Sequence, residues 1–316
     1  MMLGFTVTQS IGAAVRLGLP DLVSEGPRSA SELASAAYAD PDAVRRLLRT
    51  LASLGIFADE DGIIRHTTMS ELLCTSATGS LAPQSLVLSG VHYRTWDAAL
   101  ESLQTGEAAF PKVYGAPFFD WLAGHPEEAS AFNAAMAAGA AGRGARLLDR
   151  DWSSASSVVD VGGGTGAMLI RLLTQRPGLI GTVFDLPQVR PEALAAIEAA
   201  GLADRCSFAG GDFFKEVPAG ADVYMMSSIL HDWDDEAAGT VLGALRRAMT
   251  PRSRLVLLEH VVEPGNKPDQ AKLLDLHMLM VLGGKERSEI EWRHLLAHAD
   301  LDVITIGAGL IEAQPG

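Results

Sequence analysis

At 316 residues, with 48% hydrophobic and 20% charged side chains, the chain is long enough for about two domains and can bury a sizeable core. Its formal net charge of −14 disfavours nucleic acid and anionic membrane surfaces as main partners, since both attract basic proteins. Two cysteines, Cys74 and Cys206, lie far apart without metal-ligand spacing, which suggests a reducing compartment and no disulfide framework.

The first residues lack a basic start followed by a continuous apolar run, so no signal peptide is expected. No window is apolar enough to span a bilayer, and a cytoplasmic protein is the expectation. Gln9 to Leu17 reads as a small-residue helix ending near Gly18 and Pro20. Ser29 and Glu32 have the spacing of a capping box for a helix starting at Ala30. Pro41 suits a first helical turn, and Val44, Leu47, Leu48, Leu51 and Leu54 recur at helical spacing until Gly55. Phe57 to Thr68 reads as a hairpin turning at Asp61-Gly62. Helices followed by such a wing make residues 1–85 a mainly helical, winged-helix-like module. Arg45, Arg46 and Arg49 would suit DNA contact, but residues 1–90 hold six basic and nine acidic side chains, which favours dimerisation or a substrate lid.

From Leu86 to about Arg150 the pattern is helical and aromatic, with Tyr93, Trp96, Phe110, Tyr114, Phe118, Phe119, Trp121 and Phe132. Most are expected to pack, and some to line a pocket for a flat ligand. From Ser156 apolar strands alternate with amphipathic helices: Ser157–Val161, Ile180–Phe184, Cys206–Ala209, Asp222–Ser227, Arg254–Glu259 and Leu301–Ile306. This is the α/β pattern of a Rossmann-like doubly wound, mostly parallel sheet with ligands at the carboxyl ends of its strands. A hairpin over Ile304–Ala313, turning at Gly307-Ala308-Gly309, would add an antiparallel edge. Residues 86–316 are read as a helical substrate-lining segment joined to this catalytic domain.

The strand ending in Asp160-Val161 runs directly into Gly162-Gly163-Gly164-Thr165-Gly166 and a helix from Ala167. Glycines at alternate positions let the backbone approach a ligand, and the helix start offers N–H groups to an anion. The spacing differs from the G-x-G-x-x-G of dinucleotide sites. Asp185 ends the next strand, placed to accept both hydroxyls of a ribose, and Asp212, in Gly211-Asp212-Phe213-Phe214, ends the third, placed for an adenine amino group. Each acid alone reads as a loop residue or helix cap. Three on successive strand ends beside the glycine loop fit an adenosyl ligand without a pyrophosphate.

These motifs, with FDLP at Phe184–Pro187, LHDWDDE at Leu230–Glu236 and GGKERS at Gly283–Ser288, resemble class I S-adenosylmethionine-dependent methyltransferases. More closely, nearly the whole chain is similar to small-molecule O-methyltransferases of the plant caffeate and flavonoid and bacterial natural-product kind. The resemblance implies S-adenosyl-L-methionine as methyl donor, S-adenosyl-L-homocysteine as product, an aromatic acceptor, and a homodimer formed through the N-terminal domain. It implies cofactor contacts at Asp160, Gly162, Gly164, Gly166, Asp185, Leu186, Gly211, Asp212, Phe213 and Ser227. It places the general base at His231, with Glu259 and Glu286 orienting the imidazole, in a mechanism that requires no metal. An imidazole is suited to take a phenolic proton as a methyl group arrives. Met136 and Met278 match thioethers that clamp an aromatic acceptor, or fill the core. Asp232 reads as a substrate contact or a helix cap.

The sequence departs from the plant pattern at Ser227, where those enzymes carry a lysine, and at His277, where they carry an aliphatic residue. The N-terminal arm and the segment from Glu259 to Glu286 are also shorter. His277 reads as a pocket-wall group that bonds the substrate. The alternative is an iron ligand together with His231, for carbon methylation of an α-keto acid. Two further alternatives are a non-methylating hydroxylase or decarboxylase and a winged-helix regulator that senses the cofactor.

Overall fold

The computed structural model describes residues 2–307 and 309–316, with side chains at all of these except 140–143 and 145. They divide into two compact units, Met1–Trp96 with Phe119–Gly139, and Asp97–Phe118 with Ala140–Gly316. Among the described residues, no helix is long and apolar enough to cross a membrane.

In the first unit, helix Gly4–Arg16 begins five residues before the expected start and is followed by Gly18 at φ 67°. Helix Ala30–Ala36 carries the expected capping box: the Ser29 hydroxyl accepts from Glu32 N, and the Glu32 carboxylate accepts from Ser29 N at 2.8 Å. Helix Pro41–Ser53 is capped by Asp40 and buries Val44, Leu48 and Leu51, leaving Arg45, Arg46 and Arg49 exposed on its other face. Strands β2 (Phe57–Glu60) and β3 (Ile63–His66) pair antiparallel across Asp61 and Gly62. Both turn residues have positive φ, 55° and 85°, as a two-residue hairpin turn requires. A two-residue strand β1 (Arg28–Ser29), unmarked in the sequence, pairs with β3 and completes a three-stranded wing.

The second unit holds a seven-stranded sheet in the order β11-β12-β8-β7-β4-β5-β6. Its members are β4 (Ser157–Val161), β5 (Ile180–Asp185), β6 (Cys206–Gly210), β7 (Val223–Ser227), β8 (Arg254–Leu258), β11 (Leu301–Gly307) and β12 (Leu310–Pro315). Strands β6, β5, β4, β7 and β8 run parallel, while β12 is antiparallel to both β8 and β11. The hairpin at this edge is present, with β11 outermost; Ala308, at the centre of the expected turn, lies outside the described residues.

Both faces of the sheet are covered. Val159, Val161, Tyr224, Met226, Leu255 and Leu257 belong to one core, and Val158, Val223, Met225, Val256 and Leu258 to the other. Alternation along fully buried strands explains why they read as continuous apolar runs. Chain order reverses between β4 and β7, so the loops after these two strands flank the crevice where open α/β sheets bind ligands. A separate parallel ladder pairs β9 (Val261–Val262) with β10 (Arg287–Ser288).

Candidate active site

The loop after β4 is held by its glycines for two different reasons. Gly162 (φ 72°) and Gly166 (φ 81°) are both left-handed and crowded: an added Cβ would stand 2.7 Å from Ile229 Cδ1 and 2.8 Å from Val183 Cγ2, respectively. Gly164 (φ 56°) faces open space, so conformation alone demands glycine there. Its N–H donates to Asp185 Oδ2 at 2.7 Å, and Leu186 N–H donates to Asp185 Oδ1 at 2.7 Å. Gly211 N–H donates to the Asp185 carbonyl at 3.0 Å, joining the third strand end to the same cradle. Burial raises the Asp185 carboxyl above its ordinary value, while the Gly164 and Leu186 N–H groups pull it back.

Asp160 lies under the loop, 1% exposed, and its Oδ2 has no hydrogen-bond partner. Burial, then the neighbouring Asp185 charge, push its carboxyl up to about 7. An orphaned buried carboxylate oxygen beside backbone that approaches too closely for a Cβ fits a ligand bringing hydrogen-bond donors and positive charge. Asp212 is placed differently. Its carboxylate accepts from Phe214 N–H at 3.0 Å and pairs with Lys215 Nζ at 3.0 Å, and the Lys215 bond holds it below the ordinary range. Phe213 is half-buried beside Phe214, with ring centroids 5.0 Å apart. Leu186 is 44% exposed, and Ser227 is half-buried at the end of β7.

The loop after β7 carries the second group. Ser228 takes φ 54°, uncommon for a residue with a Cβ, and its N–H donates to Leu258 O at 3.0 Å. A single 3₁₀ turn, Leu230–Asp232, then presents His231. Glu259, directly after β8, accepts the N–H groups of Ile229 and Leu230 on Oε1, both at 2.9 Å, and its Oε2 lies 3.7 Å from His231 Nδ1. Glu286 Oε1 is 2.7 Å from the same Nδ1, and Asp232 Oδ1 is 3.3 Å from Nε2. Helix capping falls instead to Asp234, which accepts from Ala237 N–H at 2.8 Å.

Burial alone would depress the His231 imidazole. The Glu259 charge and the bonds to Asp232 and Glu286 outweigh it and hold the ring well above the usual 6.5. Burial raises Glu259, and the His231 charge opposes that rise. Beside this ring two buried carboxylate oxygens, Glu259 Oε2 and Glu286 Oε2, make no hydrogen bond, and a protonated imidazole would compensate them. Among the described residues, His231, Glu259 and Glu286 are the one group of three such side chains with ligand-type atoms within 4.8 Å of one another; His277 is not in it.

His277 and Met278 lie on helix Gln270–Leu282. Burial pushes the His277 imidazole down to about 4, so it is neutral at pH 7, and Met278 is buried. Met136 lies in the other unit, on helix Pro126–Asp149. The aromatic residues also divide: Phe110, Tyr114 and Phe118 cluster in the second unit, while Tyr93, Trp96, Phe119, Trp121 and Phe132 belong to the first.

Sequence reasoning missed Ser228, Ile229, Asp275, Gly284 and Arg287. The Ile229 side chain lies against Gly162 and so brings the glycine loop and the His231 loop together. Asp275 Oδ1 accepts Glu286 N–H at 2.9 Å. Only Gly284 and Arg287 carried a signal, by flanking Glu286 within GGKERS.

Two family matches divide the sequence: an O-methyltransferase dimerisation domain over residues 1–76 and an O-methyltransferase domain over residues 93–301. A phenazine O-methyltransferase, PhzM, from Lysobacter antibioticus is 39% identical, covering 100% of this chain and 94% of its own length. The crystal structure of LaPhzM superposes with a TM-score of 0.93 at 39% identity, over 100% of this chain and 97% of that one. NcsB1, an O-methyltransferase from neocarzinostatin biosynthesis solved with S-adenosylmethionine and 2-hydroxy-5-methyl naphthoic acid, gives 0.84 at 31% identity, over 98% of this chain and 96% of that one. With its glycine cradle, its buried histidine between carboxylates and matches along most of its length, the chain belongs to the S-adenosylmethionine-dependent O-methyltransferases.

Proposed function

We propose that this methyltransferase acts on a phenolic hydroxyl of a flat aromatic natural product, with His231 as general base. The observation that carries the reading is a buried imidazole with Nδ1 bound to Glu286 at 2.7 Å and Nε2 3.3 Å from Asp232, the nitrogen that would exchange a proton with the acceptor once the acceptor oxygen takes the place of Asp232. Asp160, Asp185, the glycines at 162, 164, 166 and 211, and Leu186, Asp212, Phe213 and Ser227 would hold S-adenosylmethionine. When bound it supplies a methyl group on a sulfonium centre and departs as S-adenosyl-L-homocysteine.

The protein's own part is to align the acceptor oxygen and take its proton. Because three carboxylates raise the His231 pKa, the ring rests as imidazolium between Glu286 and Asp232. It acts as a base only after losing the Nε2 proton, so turnover rises with pH. The flat acceptor class is supported by relatives named for a phenazine and solved with a naphthoic acid. Met278 then packs against the ring, with Asp232 and neutral His277 as polar contacts and no metal in the step. His231→Ala should bind S-adenosyl-L-homocysteine normally and lose about 10²–10⁴-fold in turnover of a phenolic acceptor. Near-normal turnover in a labelled-methyl assay would remove His231 from the mechanism.

Residues 1–85 are proposed as the dimerisation module of a cytoplasmic homodimer and residues 86–316 as the catalytic part, without nucleic-acid or membrane partners. The dimerisation-domain match over residues 1–76 supports the homodimer. Light scattering on the eluted protein should give twice the 33.4 kDa chain mass, and a monomer at micromolar concentration would refute it.

A further inference from the structure

We propose that Arg287 is a positioning residue for His231, acting with Gly284 as a clamp on the backbone of the catalytic turn; the inference rests on the general-base reading above. Arg287 is 0% exposed, in a chain whose other charged groups mostly face solvent. Its guanidinium is spent on main-chain carbonyls: Nη1 donates to Leu230 O at 3.0 Å and Lys285 O at 3.1 Å, and Nη2 to Trp233 O at 2.9 Å. Nε meets Asp235 Oδ1 at 2.8 Å, and the Trp292 ring lies 5.3 Å from Cζ. Asp235 is 57% exposed and needs no buried partner, so ion pairing alone does not explain the burial. The carbonyls do, since two of them belong to Leu230 and Trp233, the residues on either side of His231 and Asp232.

The turn is thus held from two directions. Glu259 takes the N–H groups that enter it, while Arg287 takes carbonyls before and after it. Between them, Lys285 N–H donates to the His231 carbonyl at 2.9 Å, and a Cβ at Gly284 would overlap that same carbonyl. The β9–β10 ladder, with Arg287 opposite Val261, fixes the segment carrying Glu286 beside the strand end carrying Glu259. The 2.7 Å bond between His231 and Glu286 is therefore set by a backbone lattice centred on one guanidinium. A planar fork can serve three carbonyls at once, and a lysine ammonium cannot reproduce that geometry.

Arg287→Lys and Gly284→Ala would be compared with wild type and His231→Ala, reading cofactor-product affinity by calorimetry, kcat, and the pH dependence of kcat. Both variants should bind S-adenosyl-L-homocysteine within about 2-fold of wild type yet lose roughly 10²-fold in kcat, as a misplaced catalytic group does. The acid limb should move to lower pH, because an imidazole drawn away from Glu286 loses the interaction that raised it. A kcat loss without movement of the acid limb, unchanged kcat, or failure of both variants to fold would each overturn the proposal. If His231→Ala is inactive and the clamp variants are not, only this inference fails. If His231→Ala keeps full turnover, the general-base reading fails and the clamp has no base to position.

Discussion

At the scale of single residues, the site turns on how carboxylates set the charge of one imidazole. As the proposed general base, His231 requires its neutral form to accept a proton, and its pKa is raised well above 6.5, so kcat should rise with pH through a midpoint above that value. Glu286→Gln keeps the shape and removes the charge. It should lower kcat by roughly 10- to 100-fold through misalignment, and shift the acid limb toward lower pH. A stopped or radiometric assay from pH 5.5 to 9 checks both, and an acid limb at or below 6.5 in wild type would contradict the carboxylate assignment. Gly166→Ala tests the cradle. Strain at φ 81° and overlap with Val183 should together cost about 2–4 kcal/mol, seen in thermal melts, with cofactor binding weakened as the loop shifts.

At the scale of elements, short local signals place the supports of the site. Helix Glu289–His298 begins with Ser288 in a capping box with Glu291, directly after Arg287. Ser288→Ala should cost about 1 kcal/mol and lower the melting temperature by about 2–4 °C. The cofactor KM should stay unchanged, and a kinetic defect larger than the stability loss would mean that the cap also sets the Glu286 segment. The box at Ser288 was not read from the sequence, but the one at Ser29 and Glu32 was legible because a cap, its partner three residues on and the following helix are contiguous. The same holds for the hairpin at Asp61-Gly62 and the glycine loop, where φ values are fixed by neighbours in sequence. The two-residue strands β1, β9 and β10 were not legible. Each is too short for alternation to register, and each exists only because a partner elsewhere offers its edge.

At the scale of the whole molecule, the buried titratable groups predict how stability follows pH in the ligand-free protein. The Asp160 carboxyl is raised from 3.8 to about 7, so its protonated form favours folding and that contribution is lost as pH climbs from 3.8 to 7. His231 is also raised, and its contribution is fully present below 6.5 and lost as pH passes the folded value. His277, lowered to about 4, works the other way between 4 and 6.5 and is silent above. Above pH 6.5 only losses remain among these three. The melting temperature should therefore fall between pH 6.5 and 8.5, and His231→Asn should flatten that slope. A rise across this interval would show that other groups dominate.

Sequence alone determined the strands of the seven-stranded sheet and of the hairpin at Asp61-Gly62, the glycine loop with its three strand-end acids, the helices capped at Ser29 and Asp40, and the histidine following the fourth strand of the large sheet. Each depends on residues a few positions apart, whose backbone preferences act locally. Only the tertiary structure decided that Glu286 meets Nδ1 across 55 residues, that Asp232 takes the other ring nitrogen, and that Asp212 turns to Lys215 in its own loop. It alone buried Arg287 behind the turn that carries His231. Contacts at that separation are set by which strand edges pair and which carbonyls need a donor once water is excluded, and neither leaves a periodicity to read.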